Sequence, residues 1–64
     1  MSNISAKLRK LREAKGLTQE KLARLAGVSN NTVIKIEAGK NKNPTLETLR
    51  KLAKVLELAI DDLV

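Results

Sequence analysis

The chain has 64 residues with thirteen basic against seven acidic side chains, a net charge of +6, and no histidine, cysteine or aromatic residue. A chain this short is expected to be one domain over residues 1–64, and without disulfide or metal staples it depends on helix packing. The lack of His, Cys and Tyr removes the usual metal ligands, redox thiols, nucleophiles and acid–base groups, so neither an enzyme nor any cofactor or metal is expected.

Glycine and proline punctuate the chain at Gly16, Gly27, Gly39 and Pro44. Between them apolar residues recur at helical spacing, and no stretch alternates with period two over the length of a strand. Ile4, Leu8, Leu11 and Ala14 form one face of a first helix that Gly16 closes. Thr18 is suited to cap a second helix running to about Leu25, with Leu22, Ala23 and Ala26 apolar and Gly27 following. Ser29 caps a third helix ending near Ala38, with Gly39 placed to finish it. Pro44-Thr45 opens a fourth, carrying Leu46, Leu49, Leu52, Ala53 and Leu56. A last turn from Ile60 to Leu63 is weakly specified, because Ala59 offers no capping oxygen. The expected fold is all-α, a compact bundle of four to five short helices.

Helices two and three are separated by a very short turn. Small Ala23 allows helix three to cross closely, Gly27 supplies the positive φ of a tight turn, and Val28, Val33 and Ile36 lock the two helices together. This spacing is that of a helix-turn-helix, whose second helix lies in the DNA major groove. At 100° per residue from Ser29, Val33 and Ile36 point to the core, while Asn30, Asn31, Ile34, Lys35 and Ala38 point away. Asparagine can bond bidentately to adenine and lysine can donate to guanine, so Asn30, Asn31 and Lys35 are the candidate base readers. Thr32, at the edge of that face, is a further candidate for a base or phosphate contact. Ile34 could touch a thymine methyl, but an isolated exposed hydrophobe is the commoner case, and that is the expectation here.

Charge supports a polyanion partner. Residues 1–44 carry ten basic and three acidic side chains, whereas residues 45–64 carry three and four. The loop Lys40-Asn41-Lys42-Asn43 is expected to grip phosphates, positioning the protein rather than specifying sequence. Ser29, beside the start of helix three, belongs to the same phosphate set. Lys7 and Lys10 are equally well explained as a solvated helix face. Single-stranded nucleic acid is a poor fit, because its binders stack bases on aromatic rings. A large, tight protein interface loses its usual hot-spot residues for the same reason. No run approaches a membrane span and no signal-peptide pattern begins at Met1, so a cytoplasmic protein with no membrane partner is expected.

The stretch LRKLREAKGLTQEKLARLAGVSNNTVIKIEAGKNKNPTLETLRKLAKVL resembles the Xre/Cro and phage-repressor (lambda-repressor-like) helix-turn-helix family over nearly the whole chain. Its specific parts are Gly16-Leu17-Thr18-Gln19, then Leu22-Ala23 and Ala26-Gly27-Val28-Ser29, then Ile36-Glu37-x-Gly39 and Asn43-Pro44-Thr45. The resemblance implies a five-helix bundle that binds specific double-stranded DNA in transcriptional control, as a repressor or other regulator. It implies that Gln19, at the start of helix two where free N–H groups favour an anion, clamps the DNA backbone. It also implies that Arg12 and Glu37 form a structural salt bridge that sets the angle of helix three. The chain departs from the family pattern after helix four, where Glu57 and Ala59 replace the usual Gly and Ser or Thr cap.

Family members commonly bind palindromic operators as two-fold dimers. Here only Val55, Leu58, Ala59, Ile60 and Val64 are left as candidate dimer residues, so the expected homodimer is weak and strengthened on DNA. Two alternatives stand beside the regulator reading. One is a protein-interaction module of the same fold, such as an antitoxin or coactivator-type adaptor. The other is the isolated DNA-binding part of a larger regulator.

Overall fold

Side-chain caps set where the four helices begin. The computed structural model describes residues 3–63. Helix α1 spans Ile4–Ala14 and opens with Asn3 Oδ1 accepting from the Ala6 N–H at 3.2 Å. Helix α2 spans Gln19–Ala26, where Thr18 Oγ1 accepts from the Lys21 N–H at 3.0 Å. Helix α3 spans Asn30–Glu37, where Ser29 Oγ accepts from the Thr32 N–H at 3.1 Å. Helix α4 spans Leu46–Val55, where Thr45 Oγ1 accepts from the Thr48 N–H at 3.1 Å. Each cap satisfies an N–H that the helix cannot pair by itself. Among the described residues there is no strand, and the fold is a compact all-α bundle of four helices and a final 3₁₀ turn.

One apolar core serves all the elements. Leu8 of α1, Leu22 of α2, Val33 and Ile36 of α3, Leu52 of α4 and Leu63 are fully buried. Helix α3 packs on α1 and α2, α4 packs on α2, and the final turn packs on α4. Ala23 and Ala53 are buried as well, small side chains of α2 and α4 within the same cluster.

Two sequence expectations change. Leu46 does not join the buried face of α4; it is 58% exposed, whereas Leu49, Leu52, Ala53 and Leu56 are buried. Helix α2 ends at Ala26, in line with the expected end near Leu25, and Leu25 itself is exposed. The fifth helix is reduced to a single 3₁₀ turn over Ile60–Asp62. Its cap comes from the far end: the Ala59 methyl accepts nothing, and the Asp62 carboxylate instead accepts the Ala59 N–H at 3.2 Å.

The departure at Glu57 has a structural consequence. Its φ is +59°, a left-handed conformation that side-chain-bearing residues adopt at a penalty. The Leu58 N–H reaches back to the Ala53 carbonyl at 2.9 Å, so α4 still ends by the tight reversal a glycine would favour. The Glu57 side chain is then directed at Lys15 at the end of α1, with Nζ to Oε1 at 2.6 Å.

Candidate nucleic-acid interface

The geometry of α2 and α3 follows from their three-residue connection. Gly27 has φ +72°, and the Val28 N–H bonds to the Ala23 carbonyl at 3.0 Å, which turns the chain sharply at the end of α2. Val28 then packs against the core, and Ser29 starts α3. Buried Val33 and Ile36 fix the inward face of α3. The opposite face carries Asn30, Asn31, Ile34 and Lys35, all exposed, with exposed Ala38 just beyond the helix. Thr32 is half-buried, and its hydroxyl lies 2.7 Å from that of Ser29. These two hydroxyls are occupied with each other and with the helix cap.

The loop after α3 is tied to the end of that helix. Gly39 has φ +77°, and the Lys40 and Asn41 N–H groups both reach the Lys35 carbonyl, at 2.9 and 3.1 Å. Asn41 Oδ1 in turn accepts the Asn43 N–H at 3.2 Å, giving the loop a local turn of its own. Lys40, Lys42 and Asn43 are exposed and Asn41 is half-buried. Thus α3 and the loop are one connected unit whose side chains protrude in a set order.

Behind α3 sits a bidentate ion pair. Arg12 Nε donates to Glu37 Oε2 at 2.7 Å and Nη2 donates to Glu37 Oε1 at 3.0 Å, while Nη1 donates to the Leu17 carbonyl. The two side chains are 11% and 4% exposed. The hydrogen bond to the Glu37 carboxylate holds the Arg12 guanidinium above its ordinary pKa, outweighing the opposite effect of burial. Gln19 Nε2 adds a third donor to the Glu37 carboxylate, reaching Oε1 at 3.0 Å. This contact orients the carboxamide at the start of α2 and leaves its second N–H for another acceptor. The residues are eighteen apart in sequence, so no local pattern pointed to it. The Lys15–Glu57 pair, forty-two residues apart, was equally invisible.

Charge alone does not single out this face, since exposed lysines also occur on α2 and α4. The distribution of carboxylates does. On the other helices, Arg9–Glu13, Glu20–Arg24 and Glu47–Lys51 pair exposed charges at i,i+4. Across residues 30–44 the only carboxylate is Glu37, and it is turned inward onto Arg12. The outward face of α3 and its loop therefore present lysines and carboxamides with no exposed negative charge of their own. No helix is long and apolar enough to cross a membrane among the described residues. Nor do they contain a cluster of carboxylates that could hold a metal.

The candidate dimer residues are divided by the fold. Val55, Leu58 and Ile60 are partly buried against the core, Ala59 is exposed, and Val64 lies outside the described residues.

Comparison with known proteins gives a consistent family. Residues 8–63 match the helix-turn-helix family. The chain is 42% identical over 64 residues to the uncharacterized HTH-type transcriptional regulator RghRB of Bacillus subtilis (strain 168), covering all of this chain and 46% of that protein. It is 43% identical over 61 residues to the cryptic phage CTXphi transcriptional repressor RstR of Vibrio cholerae, covering 95% of this chain and 54% of that one. The chain thus spans about half the length of these two relatives. Among solved structures, the restriction-modification controller protein C.AhdI from Aeromonas hydrophila superposes with a TM-score of 0.89 at 39% identity, covering 97% of this chain and 92% of that one.

Proposed function

The chain belongs to the Xre/Cro-type helix-turn-helix family of DNA-binding transcriptional regulators, and from that premise we propose that it binds a specific double-stranded DNA site with α3 in the major groove. The observation that carries this reading is the outward face of α3. It offers two carboxamides and a lysine in one exposed row, continued by a lysine-bearing loop, while the only nearby carboxylate is turned inward. Asn30 and Asn31 read adenine edges, and Lys35 donates to guanine. Gln19 and the loop residues Lys40, Asn41, Lys42 and Asn43 hold phosphates, with Gln19 pre-oriented by Glu37. Ser29 and Thr32, whose hydroxyls are engaged at the cap, contribute at the margin of that contact.

Repression is the favoured mode of control. It needs only occupancy of an operator, and the RstR relative is itself named a repressor. Binding is to a palindromic site by a two-fold dimer, whose half-sites lie about one helical turn, ~34 Å, apart. The candidate dimer contact is what Val55, Leu58, Ala59 and Ile60 leave outside the core. Since the core already takes part of the first, second and fourth, the contact is small, and the dimer is weak until DNA holds both copies. Such a regulator acts in the cytoplasm.

The test is selection from random duplex DNA at two salt concentrations, with sedimentation of the free protein alongside. Enrichment of a two-fold symmetric site, bound less tightly as salt rises, is the expected result. Salt-sensitive binding with no preferred sequence would overturn the reading, and a tight dimer without DNA would overturn the weak-dimer part of it.

A further inference from the structure

Ile34 occupies a position that a purely polar reading of α3 leaves unexplained. Among the described residues, three large apolar side chains are exposed: Leu25, Ile34 and Leu46. Leu25 and Leu46 lie on α2 and α4. Ile34 lies on α3, at 38% exposure, between the candidate adenine readers Asn30 and Asn31 and the exposed Ala38. Neighbours at i,i+3 and i,i+4 on a helix stand about 5–6 Å apart at Cβ. Ile34 therefore meets the DNA within one or two base-pair steps of whatever Asn30 and Asn31 touch.

When α3 enters a major groove, the exposed part of Ile34 loses its water. It has no hydrogen-bonding group to offer a base edge, so only an apolar partner compensates. The major-groove edge provides one such group, the C5 methyl of thymine. The adenines that carboxamides recognise bring thymines with them as pairing partners, displaying their methyls in the same groove.

We propose that Ile34 is a specificity-determining residue that binds the 5-methyl group of a thymine beside the adenines read by Asn30 and Asn31. This rests on the major-groove reading above and deepens it. The site recognised by α3 is then a short A·T-rich element in which the methyl is read as well as the adenine edge. Its boundary toward Lys35 is marked by a base that accepts a hydrogen bond.

The test uses the wild-type protein and the duplex enriched by selection, with each thymine replaced in turn by deoxyuridine, which removes the methyl and leaves base pairing intact. One thymine position in each half-site should respond, each single replacement there weakening binding by ~4-fold, the equivalent of ~0.8 kcal/mol for one buried methyl-sized group. Ile34→Ala, checked for native helix content by circular dichroism, loses the contact in both protomers, so it should bind the thymine duplex ~16-fold more weakly and lose its sensitivity to that deoxyuridine. Equal binding to every deoxyuridine duplex would overturn the inference while leaving sequence-specific binding in place. Undiminished deoxyuridine sensitivity in Ile34→Ala would overturn the assignment to this residue. Failure of selection to enrich any sequence would instead remove the DNA-reading premise, a distinct outcome seen before any thymine is replaced.

Discussion

Arg12 and Glu37 meet through two parallel hydrogen bonds, 2.7 Å from Nε and 3.0 Å from Nη2, joining the end of α1 to the last residue of α3. The fork geometry fixes direction as well as distance, so α3 is held in register with α1 at the end nearest the lysine-bearing loop. Removing one partner strands the other charge among buried atoms. Arg12→Ala should therefore destabilise the fold by about 3–5 kcal/mol, close to the whole stability of so small a domain. The double variant Arg12→Met/Glu37→Leu should recover most of that loss. Urea unfolding of Arg12→Met, Glu37→Leu and the double variant provides the check, and equal losses in all three would refute the stranded-charge account.

Glu57 sits at φ +59°, where a branched side chain is worst placed and glycine best. Glu57→Val should destabilise by about 1–2 kcal/mol, because a β-branched side chain fits the left-handed region worse than the unbranched glutamate already there. Glu57→Gly gives up an exposed ion pair but relieves the backbone, leaving stability within about 1 kcal/mol of the parent. Thermal melts of the two variants should thus fall on opposite sides of a clear gap.

The Lys15 ammonium beside Glu57, through its hydrogen bond first and its charge second, holds that carboxyl below its ordinary pKa of 4.5. A depressed native pKa means that the pair's stabilisation is complete above the unfolded value. It fades as pH falls from about 4.5 through the lower native value. In Glu57→Gln, stability should fall less steeply with acid over that window while keeping the same profile above it. Denaturation midpoints taken across the acid range would show the difference, and identical slopes would mean the pair makes no contribution.

Leu52 and Leu46 lie six residues apart on α4 with opposite surroundings. Leu52 is fully buried and Leu46 is 58% exposed. Leu52→Ala should cost about 2–5 kcal/mol through lost burial and the cavity left behind, whereas Leu46→Ala should stay within about 0.5 kcal/mol. Chemical denaturation of the pair tests the placement of the helix face directly.

Loop and helix contacts should separate in binding experiments. Lys40→Ala and Lys42→Ala should each weaken binding to all sequences alike and lower the salt slope by about 1 per protomer, about 2 for the dimer. Asn31→Ala should cost about 1–3 kcal/mol on the preferred site and relax its choice of base at one position. Titrations at several salt concentrations, on preferred and scrambled duplexes, distinguish the two behaviours.

The amino-acid sequence by itself determined the helices and the inner and outer sides of α3. Thr18, Ser29 and Thr45 are capping residues at the positions where α2, α3 and α4 begin, and a cap is a local interaction that the chain carries with it wherever it packs. Val33 and Ile36 are buried while Asn30, Asn31 and Lys35 are exposed because a period of 3.6 residues fixes which side chains share a face. The chain could not declare what those helices meet. Leu46 looked like a core residue by spacing, but whether a neighbour covers it depends on how α4 packs, and it is left exposed. The hydrogen bond from Gln19 to Glu37 and the reach of Lys15 to Glu57 join residues distant in sequence, so only the packed arrangement brings them together. The Arg12–Glu37 pair was implied by the family resemblance, and the structure contains it; what the tertiary structure adds is the depth of its burial, which leaves the outer face of α3 free of negative charge.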